Sequence, residues 1–144
     1  MKIPKREEGQ GLVEYALVLV LVAIVIIGIL TVLGSSIMVA YAKVIGGLHG
    51  QTVSGQGTEA IVTGFKADIT QGTGGCSGTV SDISFIGLED GDLLESGSVS
   101  IKIYVDSALV NSLSGTTNSS GMGRLLGPYS VSGGSGCSVE VIGG

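Results

Sequence analysis

From Tyr15 to Ala42 the chain carries no charged side chain, and from Leu12 to Leu33 it runs almost without interruption through Leu, Val, Ile and Ala. That run constrains the fold more than any other feature. At about 1.5 Å of rise per residue it is long enough to cross a hydrocarbon core of about 30 Å. Its many β-branched residues are mediocre helix formers in water. Lipid, however, offers no partner to a free amide, so a single spanning segment satisfies its backbone only as a helix. Ile37, Met38, Tyr41, Val44 and Ile45, at helical spacings, carry the pattern past Gly34, Ser35 and Ser36. Gly46 and Gly47 are expected to stop it. This reading places a hydrophobic helix at residues 10–45 and a Gly-rich connector at 46–58.

Charge then orients the segment. Lys2, Lys5 and Arg6 precede the apolar run and Lys43 alone lies close behind it, a bias that keeps the N-terminus cytoplasmic and exports the C-terminal part of the chain. Beyond Gly50 acidic residues outnumber basic ones nine to three, so direct nucleic-acid binding is not expected of the exported part.

After the connector the pattern changes to short runs with period-two alternation between Gly and Ser clusters. "SVSIKIYVD" is the clearest strand, with Val99, Ile101, Ile103 and Val105 on one side and Ser100, Lys102, Tyr104 and Asp106 on the other. "AIVTGFKADIT", "TVSDISFIGL", "SALVNSLS", "RLLGPYSV" and "CSVEVIG" are its expected companions. The fold class is therefore α+β: a long N-terminal helix followed by a small antiparallel, sandwich-like module at 59–144.

Cys76 precedes one of those strands and Cys137 opens the last. In an oxidising compartment they are expected to pair, closing a loop of about 60 residues and contributing roughly 4 kcal/mol; two unpaired buried thiols are the alternative. The module's only aromatics are Phe65, Phe85, Tyr104 and Tyr129, so a covalent staple would support a light core.

One carboxylate, Glu14, stands at the mouth of the apolar run, where charge is costly. With its neighbours it forms the string "EEGQGLVEYALVLVLVAIVIIG", which resembles the N-terminus of type IVb, Flp-like prepilins. Such chains have a short basic leader ending in Gly and a mature chain with Glu at its fifth position followed by Tyr. A cut between Gly9 and Gln10 puts Glu14 and Tyr15 in those places. The resemblance covers roughly residues 6–37. It implies that a membrane-embedded prepilin peptidase removes residues 1–9 as a leader and methylates the new amine of Gln10. It further implies that subunits leave the membrane and pack helix to helix in a homo-oligomeric filament built by separate assembly machinery. The family performs no catalysis and uses no cofactor, and its members are single-pass membrane proteins before assembly and extracellular pilus subunits after it.

In an apolar bundle the Glu14 carboxylate needs a cation, and the Gln10 amine of a neighbouring subunit is the available one; such a pair would set register. The alternative is a hydrated carboxylate favoured by the helix dipole. Tyr15 reads either as an interfacial aromatic or as part of the same subunit contact. Minor tight-adherence pseudopilins share "GQ.LVE.ALVL" but follow it with Pro, where Val20 and Leu21 stand here. That difference favours a major subunit. The rival reading is an anchored or secreted surface protein, since Ala40 and Ala42 form an Ala-x-Ala signal-peptidase pattern.

Other signals are weak. Glu89, Asp90, Asp92 and Glu95 lack the ligand spacing of a calcium loop and read as a solvated turn. "NSS" at Asn118 matches a glycosylation acceptor only by a frequent triplet. His49 is the one histidine, which leaves no histidine-centred triad or metal site to assemble, and enzymatic function is not expected.

Overall fold

The computed structural model describes the backbone from Gln10 to Gly144 and side chains from Gly11 onward. The expected leader, residues 1–9, and the cleavage residue Gly9 lie outside the described residues, as does the side chain of Gln10. The chain divides into two compact units, residues 1–37 and 38–144. Among the described residues one α-helix, α1 (Gln10–Leu48), is followed by eight strands, and the α+β class read from the sequence holds.

The strands are β1 (Thr58–Gly72), β2 (Gly75–Glu89), β3 (Asp92–Leu93), β4 (Ser98–Val105), β5 (Ala108–Thr116), β6 (Met122–Leu125), β7 (Tyr129–Gly133) and β8 (Val139–Gly143). They form two antiparallel sheets that do not close into a barrel. β2 is the spine of the larger sheet. Its whole length pairs with β1 on one side, and three short strands share the other: β7 along Cys76–Val80, β6 along Ile83–Ile86 and β3 at Leu88–Glu89. The smaller sheet has the order β5-β4-β8.

The sequence segment "RLLGPYSV", read as one strand, is thus two. Pro128 has no N–H to give a ladder, and the chain leaves β2 between Leu125 and Tyr129. Asp82 sits where β2 changes partner, with φ of 53° and its N–H donated to Leu126 O at 3.1 Å.

The alternation in β4 does what its period demands: Val99, Ile101, Ile103 and Val105 are all buried between the sheets. Facing them are Val80, Ile83 and Phe85 from β2 and Ala60 and Val62 from β1. Phe85 is the one aromatic that is fully buried, and glycines make its room. A Cβ at Gly115 on β5 or Gly123 on β6 would collide with its ring.

Near its end β2 is buried on both faces, which explains why "FIGL" is continuous rather than alternating. Phe85 and Gly87 point into the sandwich, while Ile86 and Leu88 form a second cluster with Ile61, Val39 and the fully buried Ala42 from the last turns of α1. Of the residues whose spacing carried the helical pattern, Ile37, Tyr41 and Val44 stay exposed and Met38 and Ile45 are half-buried; the stripe that packs most closely is Val39, Ala42 and Gly46. Small residues win because they let the helix approach closely: a Cβ at Gly46 would already stand 3.3 Å from Ile61 Cγ2.

Gly46 and Gly47 therefore do not stop the helix. Its terminator is Gly50, in the left-handed region with φ of 70°. The Gln51 N–H bonds Gly46 O at 2.8 Å and the Gly50 N–H bonds Gly47 O at 3.2 Å, the paired contacts of a Schellman end. Nor is the next segment a loose linker. Gln51 clips the two open sheet edges together, accepting from Val62 N on β1 at 3.1 Å and donating to Val141 O on β8 at 3.1 Å.

Candidate assembly interface

Every described side chain from Gly11 to Ile37 is exposed, including the whole Leu, Val and Ile run. α1 is the one helix among the described residues long and apolar enough to cross a membrane, which suits a single-pass anchor or a signal sequence. Apolar residues surround this part of the helix rather than forming one stripe, so in water it has no polar face to present. Gly11, Gly28 and Gly34 meet nothing of their own chain, in contrast to Gly46. No contact within the chain demands glycine at these places, and what they permit is the close approach of another helix.

Glu14 and Tyr15 lie one turn into α1 from Gln10, both exposed. Helical spacing puts Glu14 on the Gln10 face, in line with Val18, Leu21 and Val25, each at least half exposed. The first turn of α1 holds no acidic residue. Within the chain, then, Glu14 is a carboxylate at the head of an uncovered apolar column. Three of the residues named from the sequence, Gln10, Glu14 and Tyr15, share this helix end, and Cys76 and Cys137 belong to the other unit.

Those two cysteines form a disulfide with Cα atoms 5.3 Å apart. Cys76 lies within β2 rather than ahead of it, and Cys137, with φ of 55°, lies in the loop before β8. That loop leads from β7, which pairs with β2 in the larger sheet, to β8 in the smaller, so the bond fastens the crossing between the two sheets to β2.

The weaker signals resolve into local structure. Asp90 and Gly91, with φ of 50° and 89°, make the two-residue turn between β2 and β3, and Asp90 Oδ1 accepts from Gly57 N at 2.8 Å. Among the described residues no group of three or more His, Cys, Asp or Glu is placed to hold a metal. Asn118 Oδ1 accepts from Ser120 N and Met122 N, shaping the turn into β6. His49 comes directly after the last helical residue and lines an open groove of about 360 Å³ with Phe65 and Glu140.

Three carboxylates that sequence reading passed over carry much of the module's polar order. Asp82 accepts from Lys66 Nζ at 2.7 Å and Arg124 Nη2 at 2.9 Å, joining β1, β2 and β6. The Lys66 hydrogen bond, foremost, holds its carboxyl below the ordinary 3.8. Glu59 accepts from the Ser54 hydroxyl, from Ser54 N at 3.0 Å and from Gly55 N at 3.3 Å, and the Ser54 hydroxyl is the main reason its carboxyl lies below the ordinary 4.5. Asp106 is lowered chiefly by the backbone N–H groups of Ser138 and Gly136.

These shifts make stability depend on pH. Each group has a lower pKa folded than unfolded, so its contribution is present above the unfolded value and is lost as pH falls through the folded one. The thermal midpoint of the module is expected to be insensitive to these groups from about pH 5 to 7 and to fall below about pH 4. A midpoint that holds steady down to about pH 2 would contradict it.

Comparison with protein-family models, with curated proteins and with solved structures finds no match for this chain.

Proposed function

We propose that this protein is a structural subunit, a major pilin, of an extracellular type IV-like pilus, assembled through α1 after cleavage between Gly9 and Gln10. The observation that carries this reading is the uncovered apolar helix headed by Glu14, joined in one chain to an independently packed, disulfide-bonded β module. Such a helix needs lipid or other helices around it, and a filament core supplies the second once the subunit leaves the first. The prepilin-like register from Gly9 adds the processing step, with prepilin peptidase and an assembly machine as partners and catalysis supplied by them.

The packing of Ala42 also weighs against the secreted alternative. A signal-peptidase cut after Ala42 would strip Val39 and Ala42 from Ile61, Ile86 and Leu88 and leave that sheet face bare. Burial there is worth about 25 cal/mol per Å² of apolar surface, so the cut would destabilise the module it releases.

Intact mass and N-terminal sequencing of the protein from its native cells test the reading. A mature chain beginning at Gln10 is the expected result. A chain beginning at Lys43, or an intact Met1, would overturn it.

A further inference from the structure

The loop at 134–138, which carries Cys137, is rich in glycine and serine and has little side-chain packing of its own to order it. It is nevertheless bonded from two strands and a turn. Gln71 Nε2 on β1 donates to Ser135 O at 2.7 Å, and Cys76 N on β2 donates to Gly134 O at 3.2 Å. The third tie is a carboxylate. Asp106, at the turn between β4 and β5, accepts from Gly136 N at 2.7 Å, Cys137 N at 3.2 Å and Ser138 N at 2.9 Å. Its own N–H is donated to Ser138 O at 2.8 Å.

The loop is shaped around that carboxylate. A Cβ on Gly134 would collide with the Asp106 carboxyl, and one on Gly136 would come within 2.9 Å of Oδ1. Asp106 and Ser107 themselves occupy the left-handed region, φ 49° and 68°, as the tight two-residue hairpin requires. The concave row of N–H groups resembles an anion nest, filled here by the chain's own carboxylate.

We propose that Asp106 is a positioning residue for the disulfide: it seats Cys137 against Cys76 and so couples formation of the bond to completion of the β4–β5 turn. Two features of the geometry support this dependence. Cys137 takes a left-handed backbone that a non-glycine residue adopts only when its surroundings impose it, and its N–H is held by Asp106. In the covalent step one cysteine thiolate attacks a disulfide oxidant such as oxidised glutathione, releasing one thiol and leaving a mixed disulfide. The second cysteine displaces the other thiol, so the pair loses two electrons and two protons to the oxidant. Asp106 takes no part in that exchange. It raises the effective concentration of one sulfur at the other by ordering the loop beforehand. The inference stands independently of the filament reading.

The test equilibrates the detergent-solubilised full chain in glutathione redox buffers at neutral pH and counts alkylated thiols by mass. Asp106→Ala is expected to lower the effective concentration of the cysteine pair roughly ten-fold or more, in line with losing several charge-assisted bonds. Asp106→Asn keeps the turn and part of the acceptor set and should fall between it and the parent. Thr117→Val is the control for general destabilisation. It removes the buried hydroxyl that bonds Leu94 O and Gly97 N at the opposite end of β4, and it should leave the effective concentration within about two-fold. Should Asp106→Ala not fold, Gly136→Ala loosens the same seat and should shift the pair in the same direction. Equal shifts from Asp106→Ala (or Gly136→Ala in its place) and Thr117→Val, or none from the former, would overturn the proposal.

Discussion

Cells carrying Glu14→Ala are expected to make processed subunit, hold it in the membrane and display no filaments. The physical reason begins with solvation. In lipid the carboxylate sits at the mouth of the span, where water reaches it, and its cost is tolerable. In the proposed filament α1 packs among identical helices, that access is lost, and only a cation from a neighbour offsets the desolvation. The amine that the proposed cleavage creates at Gln10 is such a cation, and Gln10 begins the helix that carries Glu14. Removing the carboxylate leaves that amine unpaired in an apolar bundle, which costs about 3–5 kcal/mol per contact and repeats at every subunit. Because the chain carries no further charge from Tyr15 to Ala42, no second ion pair along that stretch can fix the register. Counting filaments by electron microscopy, with immunoblots of membrane fractions to show the subunit is present, checks the expectation. Normal filaments on Glu14→Ala cells would remove Glu14 from assembly.

Loss of the Cys76–Cys137 bond is expected to have the largest effect on the β module itself. The bond spans a sequence separation of 61, for which chain entropy gives about 4 kcal/mol. In a module of this size that corresponds to a fall in thermal midpoint of roughly 15–30 °C. The core offers little to compensate, since its only fully buried aromatic is Phe85 and the two sheets are otherwise joined at their open edges by the Gln51 clip. Cys76→Ser/Cys137→Ser protein, or the parent under reductant, should be digested far faster than the oxidised parent, with early cuts in the loop at 134–138. Equal digestion rates in the two states would show that the staple contributes nothing.

Much of this architecture was legible because its signals are local. The uncharged run after Glu14 announces a helix that must be sheathed, and the alternation from Val99 to Val105 announces a half-buried strand; both depend only on periodicity and on how a backbone satisfies its own hydrogen bonds. The pairing of the two cysteines followed from the expectation that an oxidising compartment holds the β module. The errors fell where distant segments meet. "RLLGPYSV" splits because β2 already changes partner at Asp82, a fact held by the other side of the sheet. Gly46 looked like a helix breaker because glycine usually is one, yet its role is set by the Ile61 side chain, whose Cγ2 would stand only 3.3 Å from a Cβ there. Asp106 looked like the last solvent-facing position of the "SVSIKIYVD" strand, and nothing in its neighbourhood of sequence points to Gly136, Cys137 and Ser138.

The sequence by itself determined that the chain has an apolar helix of membrane-spanning length, an acidic β-rich module beyond it, and a carboxylate at the helix mouth. These are matters of hydropathy, period and charge order, which act over a few residues at a time. Only the tertiary structure decided which small face of α1 meets the sheet, which three strands share the free edge of β2, and which carboxylate orders the cysteine loop. Each of those turns on the approach of atoms far apart in the chain, where the presence or absence of one Cβ, or of one bare N–H, settles what can pack.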